Sequence, residues 1–307
     1  MNFLNLDYFL VVCQEMNISR AAEKLYISQQ TLSNHIHRLE EYYGTPLFER
    51  MPRLRLTLAG ELVRQFALDM QIQHRQLKNQ LNDIRQNQKG RIAIGLTPTR
   101  ARLILPSLLP RFQKDYPLIQ VHVIVDTYKE LEKSLLEGRL DLILCTRRAS
   151  MNAHIVHQTV MKDHMCVIIP PALAKKYGLT EGNVGSLPQS KRLDQALSSE
   201  TVFTMSNTQL GKLSLQYLTD NHIVPASRIE LPDLETIWEL VLSGSGLAFT
   251  FEKMAEKKRS SLPAAIAPIL LPIKMEHAEW DIIAGYYEDR YLSFAARQML
   301  AMIQKIG

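Results

Sequence analysis

One stretch decides how this chain can be laid out. From Ala59 to Lys89 there is no proline, and no glycine after Gly60. Such a run predicts a single long helix. Val63, Met70, Leu77 and Ile84 recur every seven residues along it, and Phe66 and Leu81 flank that line. The remainder is largely Gln, Asn, Arg and Asp. A narrow apolar stripe on a long polar helix buries itself against another helix, often from a second copy of the chain. The chain therefore divides into a head, residues 1–58, a linker and dimerisation helix, residues 59–89, and a body, residues 90–307.

In the head, residues 4 to 16 read as a helix with Leu6, Phe9, Leu10 and Cys13 on one side. Asn17 and Ile18 break it, and Ser19 serves as N-cap for a short helix, RAAEKLY. A turn over residues 25–28 leads into a third helix that starts behind Ser28. Two helices joined this way match the helix-turn-helix pattern. Leu32, Ile36, Leu39 and Tyr43 form the apolar stripe of the third helix, and Gly44 suits the residue just past its end. Its other face carries Gln30, Ser33, Asn34, His37 and Arg38. Amides and hydroxyls are the groups that hydrogen-bond to base edges. Next, Leu54, Leu56 and Leu58 alternate with Arg55 and Thr57, which predicts a small β-wing bearing Arg50, Arg53 and Arg55.

A major groove about 12 Å wide admits one helix that is packed behind and polar in front. Gln29 and Gln30 lie in the first turn, where a recognition helix meets the bases. Thr31, Ser33 and Asn34 continue that face. Arg38, Arg50, Arg53 and Arg55 would neutralise phosphates. Charge alone does not reveal this, because residues 1–58 hold six Lys or Arg against six Asp or Glu. Phosphate contacts per subunit are then few, so affinity depends on pairing subunits.

At Gly90 the texture changes. RIAIGL, IQVHVIV and LDLILC read as strands, separated by helices near 101–114 and 129–137. This βαβαβ alternation predicts a parallel sheet covered by helices. MCVIIP, TVFTM, GLAFTF and EWDIIAGYY are further strands, with helices near 208–220, 233–243 and 291–305. The late elements cross back to the first lobe. The expectation is two α/β lobes around a cleft: lobe 1 at about 90–160 and 268–307, and lobe 2 at about 161–267.

Apolar residues make up 46% of the chain and charged residues 22%, the balance of an ordinary globular protein. The formal net charge of +5 permits an anionic partner without requiring one. Cys13, Cys145 and Cys166 lie far apart, which argues against a disulfide scaffold. The N-terminus lacks the basic region and cleavage site of an export signal, so the expected location is cytoplasmic. His154, His157 and His164 lack the spacing and partners of a metal site. No P-loop, G-x-G-x-x-G or G-x-S-x-G is present, so no enzyme activity and no cofactor are expected. A solute-binding protein of this architecture would have no use for the head.

The segment AAEKLYISQQTLSNHIHRLEEYYGTPLFER, followed by LTLAG, resembles the DNA-binding region of LysR-type transcriptional regulators. The long helix and GRIAIGLTPTRARLILPSLLPRFQKDYP are similar to that family's linker and effector domain. The resemblance implies an N-terminal winged helix-turn-helix, a long linker helix and a two-lobed α/β domain of the type 2 periplasmic-binding-protein kind. It also implies a homodimer through the linker, assembled further into a tetramer, acting on operator DNA, with RNA polymerase as a further partner. The chain departs from the family at Gln30, in the RMPRLR wing, and in GLAFTFEKM, where the family carries a proline.

Ligands of open α/β sheets bind beyond the carboxyl ends of the strands. Thr97, Thr99 and Arg100 follow the first strand, and Thr146 follows the third. The helix starting near Arg100 offers free N–H groups, a seat for a carboxylate. Ser206 and Asn207 face the same cleft from the second lobe. In the family these positions contact small effectors, and the resemblance adds Thr250 to the cleft wall. The expected effector is a small anionic metabolite.

Overall fold

A computed structural model describes residues 3–49, 53–84, 89–181, 187–273, 275–276 and 278–306. The head contains α1 (Phe3–Glu15), α2 (Ile18–Lys24) and α3 (Gln29–Tyr43), then β1 (Phe48–Glu49) and β2 (Arg55–Leu56). Asn17, not Ser19, caps α2: its Oδ1 accepts the Arg20 N–H at 3.1 Å. Asn17 has the extended backbone a cap needs, while Ser19 already lies inside the helix. Ser28 caps α3 by accepting the Thr31 N–H at 3.1 Å. Gly44 closes α3 in the left-handed region, φ +66°. Leu32, Ile36 and Leu39 are fully buried against Leu6, Phe9 and Leu10 of α1.

The wing is shorter than the alternation suggests. Phe48 pairs with Leu56 and Glu49 with Arg55, and the ladder stops there. Leu58 does not extend it. It begins α4 (Leu58–Ile84) and lies exposed. Thr57 accounts for the switch, since its hydroxyl accepts the Gly60 N–H at 2.9 Å and donates to Pro46 O at 2.8 Å.

Helix α4 does not bury its seven-spaced residues as one stripe. Val63, 8% exposed, joins Ala67 in the head core. Leu77 is 53% exposed and Leu62 68% exposed, with Phe66 and Leu81 outward as well. The helix thus serves two partners: its first turns complete the head, and a second apolar face stays open. The side chain of Ile84 and residues 85–88 lie outside the described residues. Farther along, α4 docks on the body. Asp83 Oδ2 accepts the Tyr291 hydroxyl at 2.7 Å, the Phe294 N–H at 2.9 Å and Arg297 Nη2 at 3.1 Å. Ile72 lies over Gly138, leaving no room there for a Cβ.

The body runs β3 (Gly90–Leu96), α5 (Pro98–Asp115), β4 (Ile119–Val125), α6 (Tyr128–Leu136), β5 (Leu142–Thr146) and β6 (Ile155–Ile169). It continues α7 (Pro171–Tyr177), α8 (Leu187–Ser199), β7 (Thr201–Met205), α9 (Gln209–Asp220), β8 (Ser227–Leu231), α10 (Leu234–Leu242) and β9 (Leu247–Phe251). Then come α11 (Glu252–Arg259), β10 (Ile269–Pro272), β11 (Glu279–Tyr287) and α12 (Phe294–Ile303). The strands follow the order β4-β3-β5-β11-β6-β9-β7-β8, with β10 on β6.

Strand β3 is parallel to β4 and β5, and β7 is parallel to β8 and β9. Strand β6 joins the two sets. Its first part pairs antiparallel with β11 and its last part with β9 and β10. The polar residues of its first half concealed this strand in the sequence, where only MCVIIP read as extended.

Each lobe has its own core. Ile104, Leu108, Phe112, Met299 and Ile303 fill lobe 1, and Phe203, Leu213, Trp238, Val241 and Phe249 are among those filling lobe 2. Cys145 and Cys166 are fully buried, and burial pushes the Cys145 thiol up to about 12. His154 neighbours Glu288 and Asp289, away from the carboxylate near His164, Glu279. No helix among the described residues is long and apolar enough to cross a membrane.

The joint between head and linker is tight at one backbone contact. A Cβ on Gly60 would stand 2.1 Å from Leu47 O. Gly60→Ala should therefore destabilise the protein by about 1–3 kcal/mol in urea unfolding. Gly90→Ala, with nothing within 4 Å of the added carbon, should stay within about 0.5 kcal/mol of the parent.

Candidate DNA interface and inter-lobe cleft

The polar front of α3 is open. Gln29, Gln30, Thr31, Asn34 and Arg38 are exposed, and Ser33 is half-buried. Several local contacts fix their starting positions. The Ser19 hydroxyl donates to Gln29 Oε1 at 3.2 Å, setting the start of α2 beside that of α3. The Thr31 and Ser28 hydroxyls pair at 2.8 Å. His35 turns inward, hydrogen-bonded to Asn5 Oδ1 at 2.8 Å, with its ring edge-on to Tyr8. His37 Nε2 lies 3.2 Å from Glu41, one turn along. The amides and Arg38 thus remain turned outward, while the histidines serve the helix itself.

The wing is held to α3 by one carboxylate. Glu40 Oε1 accepts the Leu47 N–H at 2.8 Å and the Phe48 N–H at 3.3 Å. Arg53 and Arg55 are exposed, and neither has a carboxylate partner among the described residues. Arg50 lies outside the described residues. Tyr26, which the sequence reading passed over, stands in the turn between α2 and α3 and is 95% exposed. An aromatic residue in a helix-turn-helix turn was the available signal.

In the body, Thr97 is the N-cap residue of α5 but makes no side-chain cap bond. Thr97, Thr99 and Thr146 are half-buried at the carboxyl ends of β3 and β5. Ser206 and Asn207 follow β7 in lobe 2, where the Ser206 N–H donates to Leu231 O at 3.0 Å.

Arg100 does not open to the cleft. Its guanidinium is 1% exposed, and Nη1 lies 2.5 Å from Asp163 Oδ2, itself 0% exposed. Nη2 reaches Thr146 Oγ1 at 3.3 Å, and the guanidinium stacks 4.5 Å from the centre of the Phe251 ring. Burial lowers the Arg100 pKa, and the Asp163 carboxylate opposes that shift. Expected to contact the effector, Arg100 instead has its charge answered inside the chain by Asp163. Asp163 also accepts the His164 N–H at 3.0 Å and the Lys253 N–H at 2.9 Å. It thereby joins lobe 1, the β6 crossover and the start of α11.

Thr250 is also reassigned. It is fully buried on β9 opposite Cys166, so its side chain does not line an open wall. The lobes meet again where Lys257 Nζ donates to the carbonyls of Arg102 and Leu103, at 2.9 and 2.6 Å. Sequence reasoning missed Asp163 and Phe251. The one signal was an acidic residue inside an otherwise strand-like run.

Two family models match this chain. The bacterial regulatory helix-turn-helix protein of the lysR family matches residues 3–61, and the LysR substrate binding domain matches residues 85–306. The transcriptional regulator CysL of Bacillus subtilis is 27% identical over 257 residues, 82% of this chain and 81% of that protein. YtlI of the same organism is 35% identical over 145 residues; the match spans 47% of each, so about half of that relative's length. The solved structure of full-length CbnR complexed with its target DNA has a TM-score of 0.64 at 17% identity, covering 100% of both chains. A full-length OxyR from Pseudomonas aeruginosa has a TM-score of 0.61 at 20% identity, covering 99% of this chain and 94% of that one. At such identities the likeness is one of fold: a winged helix-turn-helix head, a linker helix and a two-lobed α/β domain. With its DNA-binding head and its substrate-binding body both matched, the chain belongs to the LysR family of transcriptional regulators.

Proposed function

We propose that α3 enters the major groove of promoter DNA with Gln29, Gln30, Thr31, Ser33 and Asn34 toward the base edges. Arg38 and the wing residues Arg50, Arg53 and Arg55 meet phosphates. The observation that carries this reading is the two-sidedness of α3: Leu32, Ile36 and Leu39 are buried while its amide face is open. A Gln or Asn amide pairs with adenine through two hydrogen bonds. With few cations per head, one subunit gains little from phosphates, and linked heads multiply affinity through effective concentration. The outward face of α4, with Leu62, Phe66, Leu77 and Leu81, is the surface on which a second copy pairs. Two such dimers form the tetramer, and DNA-bound assemblies contact RNA polymerase.

The same reading places a small anionic effector between the lobes. Its seat is the start of α5. The first turn there lacks a side-chain cap, which leaves N–H groups and the positive end of the helix for a carboxylate. Thr97, Thr99 and Thr146 supply hydroxyls, and Ser206 and Asn207 complete the opposite side. Arg100 acts from behind as a structural element. Binding shifts regulation only through unequal affinity for two arrangements of the lobes.

Gel shifts with duplexes from upstream of the gene test the head. Gln30→Ala, Ser33→Ala and Asn34→Ala should each lose about 1–3 kcal/mol of discrimination. Arg53→Ala and Arg55→Ala should weaken binding to every sequence alike and lower the salt slope by about 1 each. Unchanged affinity and unchanged preference across all five variants would remove α3 and the wing from recognition.

A thermal-shift screen of small carboxylates tests the cleft. A hit should bind about tenfold more weakly to Thr99→Val, the cost of one hydrogen bond to a charged group. Screening that yields only cations or neutral compounds would overturn the anion. Urea unfolding tests the ion pair: Arg100→Met should cost about 3–5 kcal/mol, and adding Asp163→Asn, which removes the unpaired charge and keeps an oxygen for the His164 and Lys253 N–H groups, should restore part of it. Equal stability of Arg100→Met and the parent would contradict a structural role for Arg100.

A further inference from the structure

Helix α2 ends in a left-handed turn at Tyr26, φ +55°. The Tyr26 N–H donates to Glu23 O and the Ile27 N–H to Ala22 O, both at 3.1 Å. This pair of bonds is the closure at which glycine is the usual residue, because a Cβ is strained there. The same chain ends other helices with the same two bonds, and Gly44, Gly138, Gly178 and Gly244 hold the left-handed position in those. His222, at the end of α9 in lobe 2, is the other departure from glycine among closures of this kind in the described residues.

Tyr26 therefore occupies a position the backbone would rather give to glycine. Its ring brings no compensation within the chain, since it is 95% exposed, the highest value among the exposed large apolar side chains of the described residues. It stands two residues ahead of Ser28, the cap of α3. When a helix-turn-helix docks, the first helix crosses the DNA backbone and the start of the second enters the groove. The turn between them lies at the rim, level with phosphates and sugars. A phenol can donate to a phosphate oxygen there.

We infer that Tyr26 is a DNA-positioning residue whose hydroxyl donates to a phosphate oxygen at the rim of the groove entered by α3. This rests on the reading of α3 as the helix that enters DNA. The contact carries no base information and sets the angle and depth at which the amide face meets the base edges.

The full-length protein should first enrich duplexes from a random-sequence library. An enriched duplex and an unrelated one of equal length then serve as probes. Tyr26→Gly should unfold at the same temperature as the parent or higher, since strain is relieved. It should bind both duplexes about tenfold more weakly, the loss of one hydrogen bond to a charged group. The ranking of sequences should not change, and the salt slope should match the parent's, because no cation is removed. Tyr26→Phe should show most of the same loss.

If the parent enriches no sequence, the underlying DNA reading fails. If it does, and Tyr26→Gly binds like the parent, the inference on Tyr26 is overturned while the DNA reading stands. Tyr26→Phe binding as tightly as the parent overturns the hydroxyl contact. A lowered unfolding temperature in Tyr26→Gly overturns the inference too, since Tyr26 would then be serving the fold.

Discussion

The geometry of the body hangs on the ion pair between Arg100 and Asp163. The arginine comes from the first turn of α5, the aspartate from the strand that joins the lobes, and the aspartate's other oxygen holds the start of α11. Taking two charges out of water is expensive, and their attraction roughly offsets that cost only when the remaining hydrogen-bonding positions are filled. Here Asp163 accepts two backbone N–H groups besides Arg100, and Arg100 adds a bond to Thr146 and a stack on Phe251. Such a pair contributes little net stability against an apolar substitute. It is intolerant of losing one partner, and it allows one relative placement of the three elements. The uncapped start of α5 is held at that joint, so any ligand placed there presses on the point where the lobes are tied.

Much of the head was legible because its signals are local. The spacing of Leu32, Ile36 and Leu39, the cap at Ser28 and the glycine at 44 all act within a turn or two of helix. Each found its expected place. The cap of α2 moved from Ser19 to Asn17 because two cap-competent residues two positions apart cannot be ranked without the backbone angles. The seven-residue spacing on α4 was real, but the head core reaches only the first turns of the helix, and residues farther along the same side lie beyond it. Val63 went to the head core and Leu77 to the open side.

The cleft was less legible, for a different reason. Arg100 and Asp163 are 63 positions apart, and a lone aspartate in MKDHMCVII gives no hint of what it faces. Thr250 was assigned by likeness, and a β-strand residue one register step away points to the other side of its sheet. The start of α5 beyond β3 followed from the local strand-to-helix pattern, without need of long-range contacts. The divide runs between properties set by a few neighbouring residues and properties set by which distant residues meet.

The fastening of α4 through Asp83 has a mechanical consequence. Asp83 is bound to the first turn of α12, at the far end of the linker from the head. The 25 residues between Leu58 and Asp83 make an arm about 38 Å long. A rotation of lobe 1 of about 5° swings the far tip of that arm by about 3 Å, close to the ~3.4 Å rise of one base pair. Displacements in the body too small to rearrange its own packing are thereby enlarged at the head.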